Sequence, residues 1–171
     1  EAPAWSLAWR CCPRSRALAD RHYNRQSVGA DNFVPPGRCL VLYRETAEGA
    51  AFWVTSWPFA EYVRHAWPGA WVCSAFRNEG AGLSSTLIRE AVAATRWRYG
   101  YPPPLGMVTF VNADKVRHKR DPGRCLIRAG FERADPPETQ GGLLAFQKRP
   151  EAMPEPVAPL GVTLDLFGRA A

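Results

Sequence analysis

The chain has 171 residues, of which 46% are hydrophobic and seven are tryptophan; that is one domain's worth of chain, long enough to bury a core and too apolar for a disordered protein. It contains no run of about eighteen apolar residues and no charged-then-apolar leader, which predicts a protein without a membrane span, working in the cytoplasm. A net charge of +6 points to a polyanionic partner or, more plainly, to a solvated basic face.

In chain order, residues 15–26 (SRALADRHYNRQ) read as a helix that Ser15 would cap, with Leu18 and His22 one turn apart. Residues 29–38 form a loop punctuated by glycine and a double proline. Segments 38–45 and 50–57 alternate as strands and join through AEG as a hairpin. Residues 58–69 are irregular and aromatic, and 70–76 (AWVCSAF) read as a third strand. The clearest helix is 82–100, with Leu83, Leu87, Ala91 and Ala94 on one stripe. A strand at 102–112, a short helix at 122–132 ending near Gly130, and a strand at 141–149 complete the pattern. The order predicts a single domain over 1–149, a mixed α/β (α+β) fold with a central twisted sheet flanked by helices. The proline-rich tail 150–171 is expected to be flexible and unfolded through 161.

The five cysteines (Cys11, Cys12, Cys39, Cys73, Cys125) are odd in number and form no C-x-x-C pair. They read as reduced, mostly buried thiols. Cys11, Cys12 and His22 lack metal-ligand spacing, so no metal is expected.

The stretch RNEGAG, at 77–82, lies between a strand and the longest helix. Amides of a glycine-rich turn, continued by the free N–H groups of a helix start, converge on one spot and favour an anion there. Gly80 and Gly82 would let the backbone approach it closely, and Arg77 would add a charge. Asn78, Ala81 and Ser84 complete the candidate donor-binding set. An ordinary strand-to-helix turn is the plain alternative.

R-x-x-G-x-G at this position resembles the acyl-CoA pyrophosphate loop of the GNAT superfamily of N-acetyltransferases. CLIRAGFE (125–132) resembles the short final helix of that superfamily, and the likeness covers about 20–149. DRHYNRQ, FVPPGR, AFRNEGAGLSS and DKVRHKRDPGRCLIRAGFE are together similar to phage Mom-type DNA-modification proteins, diverged members of the same superfamily. The resemblance implies a GNAT-like fold and a phage-type enzyme acting in the cytoplasm of an infected bacterial host. It also implies a donor such as acetyl-CoA or a related phosphate-bearing molecule. The activity implied is transfer of an acyl- or carbamoylmethyl-type group to the exocyclic amine of adenine in double-stranded DNA, protecting that DNA from restriction.

An adenine amine is a weak nucleophile, because its lone pair is delocalised into the ring, so a base and an acid are needed. His22 and Tyr23 fall where the Mom-like HY pair falls and are the first candidates; the plain reading of His22 is a satisfied helix histidine. Asp114 would orient or deprotonate, or is a turn residue, and Ser85 would reach the transferred group. Lys115, Arg117, His118, Lys119, Arg120 and Arg124 would track the DNA backbone, with a second basic cluster at Arg10, Arg14, Arg16, Arg21 and Arg25. Aromatic residues at 56–62 and 65–69 are mostly core by their nature, but offer a slot for a flipped base. At the end of the tail, TLDLF looks like the Q-L-x-L-F peptide of bacterial sliding-clamp partners. Leu164, Leu166 and Phe167 would either dock on the host clamp or fold back on the domain. The alternatives are an acyl-CoA-dependent N-acetyltransferase acting on a protein or small amine, and a non-catalytic DNA-binding module. Nothing in the sequence sets the oligomeric state.

Overall fold

A computed structural model of the chain describes residues 5–116 and 121–161. Among these, seven strands form one sheet: β1 (Ser6–Ala8), β2 (Arg38–Glu45), β3 (Ala50–Trp57), β4 (Trp71–Glu79), β5 (Met107–Val111), β6 (Glu132–Glu138) and β7 (Leu144–Lys148). Their order is β1-β2-β3-β4-β5-β7-β6. Neighbours run antiparallel except β4 and β5, which are parallel. A parallel pair needs a crossover, and helix α2 (Ser84–Tyr99) supplies it. The fold is a mixed α/β domain, as the sequence predicts.

Strand alternation sorts the core onto two faces. Leu40, Leu42, Ala51 and Trp53 point to one face and meet Leu87, Ile88, Ala91 and Ala94 of α2, together with Leu126 of α3 (Arg124–Arg128). Their neighbours Val41, Phe52 and Val54 point the other way, onto Leu18 and Ala19 of α1 (Pro13–Asp20) and Val34 of the following loop. Farther along this sheet, Trp67 and Ala70 cover Val108, Ala134 and Ala145. A polar chain threads the α2 side. Trp53 Nε1–H donates to Thr55 Oγ1 (2.7 Å), which is hydrogen-bonded to Thr95 Oγ1 (2.8 Å), itself a donor to the Ala91 carbonyl.

Four expectations need correction. The strand expected third is fourth, because residues 6–8 pair with β2 at the sheet edge and Trp5 is buried, its Nε1–H donating to the Leu87 carbonyl. Helix α1 starts at Pro13, with Cys12 at the N-cap; Ser15 is buried and does not cap it. A proline suits a first helical position because it has no N–H to leave unpaired. The helix ends at Asp20, whose carboxylate accepts from Arg25 Nε and the Gly29 N–H and so closes the chain into a turn. Residues 22–24 therefore lie beyond the helix. Third, β6 contains Pro136 and Pro137, a composition that hides a strand; it is an edge strand, where a missing donor costs no ladder bond.

The fourth correction is the tail. Residues 150–161 run back over α2 to the opposite sheet edge. Arg96 donates to the Pro154 carbonyl (2.6 Å), the Val157 N–H to the Ala93 carbonyl (3.2 Å), and Leu160 pairs with Trp5 and Leu7 (2.8 Å each). Prolines lack donors but leave strong acceptors on a pre-extended backbone, and Met153 is buried. Thr163, Leu164, Leu166 and Phe167 lie outside the described residues. No described helix is long and apolar enough to cross a membrane.

Candidate functional site

Strands β4 and β5 pair only over Trp71↔Met107, Val72↔Val108 and Cys73↔Thr109, although β4 runs on to Glu79. The register against β3 shows why. Val54 pairs with Ala75 but Thr55 with Cys73, so Ser74 is an extra residue on β4. Such a bulge bends its strand and resets which face each side chain takes. Cys73 packs with the α2-side core and Ala75 with the α1-side core. A hydrogen bond between Ser74 Oγ and Ser56 Oγ (2.6 Å) pins the bulge to β3.

Beyond the bulge, β4 leaves β5, and the residues just after α1 fill the gap. His22 Nε2 lies 3.1 Å from the Phe76 carbonyl and Asn24 Nδ2 donates to the Ser74 carbonyl at 3.0 Å. From the β5 side, the Asn112 N–H donates to the Tyr23 hydroxyl at 3.3 Å. Three consecutive side chains thus take the place of a strand partner. The arrangement leaves a cavity of about 120 Å³ whose lining includes His22, Tyr23, Cys73, Ser74, Thr109 and Cys125. A second cavity, about 250 Å³, shares Tyr23, Asn24, Cys73, Ser74 and Phe110 with the first and is lined also by Asn112 and Lys115.

The chemistry of the lining is specific. A carbonyl only accepts, so His22 carries its proton on Nε2, and Nδ1 holds a lone pair that accepts the Asn24 N–H at a long 3.3 Å. His22 and Tyr23 are stacked at 4.6 Å. Burial raises the Tyr23 phenol above its ordinary value, so it stays protonated and keeps a proton to donate. Burial pushes the Cys73 thiol up to about 12, which makes it no nucleophile near neutral pH.

At the end of β4, alternation sends Asn78 to one face and Arg77 and Glu79 to the other. Asn78 organises the turn: its Oδ1 accepts the Ala81 N–H (2.9 Å), and its Nδ2 donates to the Gly82 carbonyl (2.7 Å) and Ser84 Oγ (2.9 Å). Gly80 has φ +95°, and a Cβ there would stand 2.8 Å from the Glu48 carbonyl; Gly82 has φ +143°, and a Cβ there would make an ordinary contact with Leu87 Cγ at 4.0 Å. Both positive φ values call for glycine along this backbone path. Helix α2 starts without a side-chain cap and with no acid in its first turn; Leu83, at the N-cap, is 65% exposed. The amides at this start fit an anion, although the Ala81 N–H is already bound. Ser84 faces the turn, while Ser85 is only 5% exposed and belongs to the core.

Arg77 is placed differently from the expectation. Its Nε donates to Glu79 and its Nη1 to the Arg21 carbonyl, while Arg21 grips Glu79 with two bonds of 2.7 Å. Two guanidiniums hold the Glu79 carboxyl down at about 2, the Arg21 bond being the larger cause. Arg77 therefore serves a network on the α1 side, opposite Asn78.

Asp114 is exposed in a single turn, Asp114–Val116, with its N–H on Asn112 Oδ1, and does not line the cleft, although the buried Val116 does. Lys115 reaches the Tyr23 carbonyl (3.4 Å). Arg117, His118, Lys119 and Arg120 lie outside the described residues, and Arg124 is exposed at the start of α3. The N-terminal basic cluster is largely neutralised: Arg14 pairs with Glu45, Arg16 with Asp31, Arg21 with Glu79 and Arg25 with Asp20. Of the aromatic segment, Trp57 and Trp67 pack inward, Phe59 and Tyr62 are exposed, and His65 lies tilted against Phe110. None of 56–69 lines the cleft.

Sequence reasoning passed over Asn24, Ser74, Thr109 and Lys115's tie to Tyr23. Ser74, a hydroxyl inside the apolar run AWVCSAF, was the one local signal. Among the described residues, no three His, Cys, Asp or Glu side chains gather as metal ligands. Comparison of the chain with protein-family models, with curated proteins and with solved structures finds no match.

Proposed function

We propose that the chain is a GNAT-like transferase that modifies a DNA base, of the Mom type. The observation that carries this reading is one strand, β4, that opens a cleft at its bulge and ends at an uncapped, glycine-led helix start. A phosphate-bearing donor such as acetyl-CoA fits the amides of residues 82–85 and Ser84. When bound, it would supply an activated carbon.

The protein's own part is proton management and positioning. The amine loses a proton as its new N–C bond forms, and among the lining residues the His22 imidazole is the group suited to take it. The Tyr23 hydroxyl, kept neutral by burial, gives its proton to the leaving group. Lys115, tied to Tyr23 at the mouth of the second cavity, meets the phosphodiester.

The test is mass spectrometry of nucleosides from DNA co-expressed with the protein; a new nucleoside supports the reading. The pairing of four N-terminal arginines with acids favours a second reading, N-acetylation of a protein or small amine. Unmodified DNA together with amine acetylation would select it. DNA binding with neither product would mark a non-catalytic binding module.

A further inference from the structure

The loop between α1 and β2 packs Val34 onto the sheet and, with the sheet, lines a groove of about 530 Å³, within the range of ligand pockets. Phe52 and Ala75 form its sheet wall, Gln26, Asn32 and Phe33 its loop side, and Asn24 with Ser74 line it beside the strand gap. The geometry points to this groove as the slot for an extruded nucleobase, the acceptor of the transfer, with Phe33 as the stacking face. The inference rests on the reading of the chain as a DNA-base-modifying enzyme.

Three observations converge. First, position: Asn24 and Ser74 line both this groove and the 120 Å³ cavity at the strand gap. The partition between the two is the Asn24 Nδ2 bond to the Ser74 carbonyl, so a base lodged in the groove presents its edge to the cleft. Second, surface chemistry: Phe33 is half-buried and set edge-on to the buried Phe52 (5.9 Å, 85°), which fixes its ring while part of it lines the groove. Asn24, Gln26 and Asn32 carry carboxamides; Asn24 Nδ2 is given to the Ser74 carbonyl and Asn32 Oδ1 to the Val34 N–H, and the groups beside them complement a base edge. Third, charge: the neighbouring acids Asp20 and Asp31 are paired with Arg25 and Arg16, so neither opposes an incoming phosphodiester uncompensated. The aromatic segment 56–69 meets none of these conditions, since it lines neither the groove nor the gap.

The experiment uses the whole chain and a single-stranded oligonucleotide carrying 2-aminopurine, read by anisotropy for affinity and by 2-aminopurine emission for stacking. Phe33→Leu keeps the bulk and loses the π face. It should weaken binding about five- to a hundredfold, the range for one base–aromatic stack, and abolish the emission change. Phe33→Trp should retain both, and Tyr62→Ala should alter neither. Should Phe33→Leu fail to fold, Gln26→Ala, on the exposed loop, decides by the same measure, with a severalfold loss expected. Wild-type binding that the Phe33 and Gln26 substitutions leave unchanged would overturn the groove and spare the enzyme reading. Absence of DNA binding by the wild type would overturn both.

Discussion

Strand β4 has two halves that do opposite work. At Val72 and Cys73 it has a strand on each side, β3 and β5, and with Trp71 its side chains feed the core. From Ser74 onward it has β3 alone, and His22 and Asn24 take the carbonyls that a strand would otherwise pair. The difference teaches that one inserted residue, Ser74, converts a scaffold strand into the wall of a cleft without breaking it. It also sorts substitutions: changes in the first half should act on stability, changes in the second on chemistry.

The largest effect expected is at the helix start that follows the second half. Leu83 is an exposed N-cap with extended backbone and no capping side chain. Leu83→Asp would cap the free amides, which is worth about 1 kcal/mol to the helix and about 2–4 °C in Tm. The same carboxylate would occupy the anion position. DNA modification should fall to background in a protein that melts higher than wild type. Full activity in the stabilised variant would show that RNEGAG is an ordinary turn.

Next comes Tyr23→Phe, which deletes the hydroxyl held by the Asn112 N–H. On the proposed reading, in which Tyr23 gives a proton to the leaving group, turnover should fall about 10²–10⁴-fold, with oligonucleotide affinity unchanged. A fall in affinity alone would make Tyr23 a binding residue instead.

In the paired half of the sheet the effect should move to stability. Thr55→Val leaves the Trp53 indole N–H and the Thr95 hydroxyl without their shared partner in the core. Unfolding free energy should drop by about 1–3 kcal/mol, read by urea denaturation, while turnover per folded molecule stays the same. A loss of turnover with stability intact would mean that the two halves of β4 are not separable.

What was legible in the sequence follows the same division. The 38–57 hairpin and the 82–100 helix announce themselves, because their periodicity is local and each covers several turns or pairs. The bulge is invisible locally, since it exists only as an offset between β3 and β4. Strand β1 is equally hidden: three residues gain their meaning from Val41–Tyr43 and from Leu160 at the other end of the chain. His22 and Tyr23 were nameable as a pair, yet their position beyond the helix depends on Asp20 ending it. Asn24 carries no signature at all, because its importance comes from the carbonyl that the bulge exposes.

The smallest effect expected is a pH dependence confined to the second half of β4. Glu79 ends that half, and its carboxyl is held at about 2 by Arg21 first and Arg77 second, against an ordinary 4.5. A carboxyl whose pKa is depressed on folding stabilises the native state fully above its unfolded value. That contribution fades as pH falls from about 4.5 toward 2, because the unfolded chain binds the proton first. Glu79 ties residues 21–24 to β4 through Arg21, so acid should loosen the His22–Asn24 plug before it loosens the paired half. Tm measured from pH 6 to 2.5 on wild type and Glu79→Gln should show a wild-type advantage that narrows through this window. Amide hydrogen exchange should quicken at residues 74–79 ahead of 71–73. Parallel melting curves for the two proteins would mean that the arginines contribute nothing net through Glu79. Uniform exchange along β4 would mean that its two halves unfold as one.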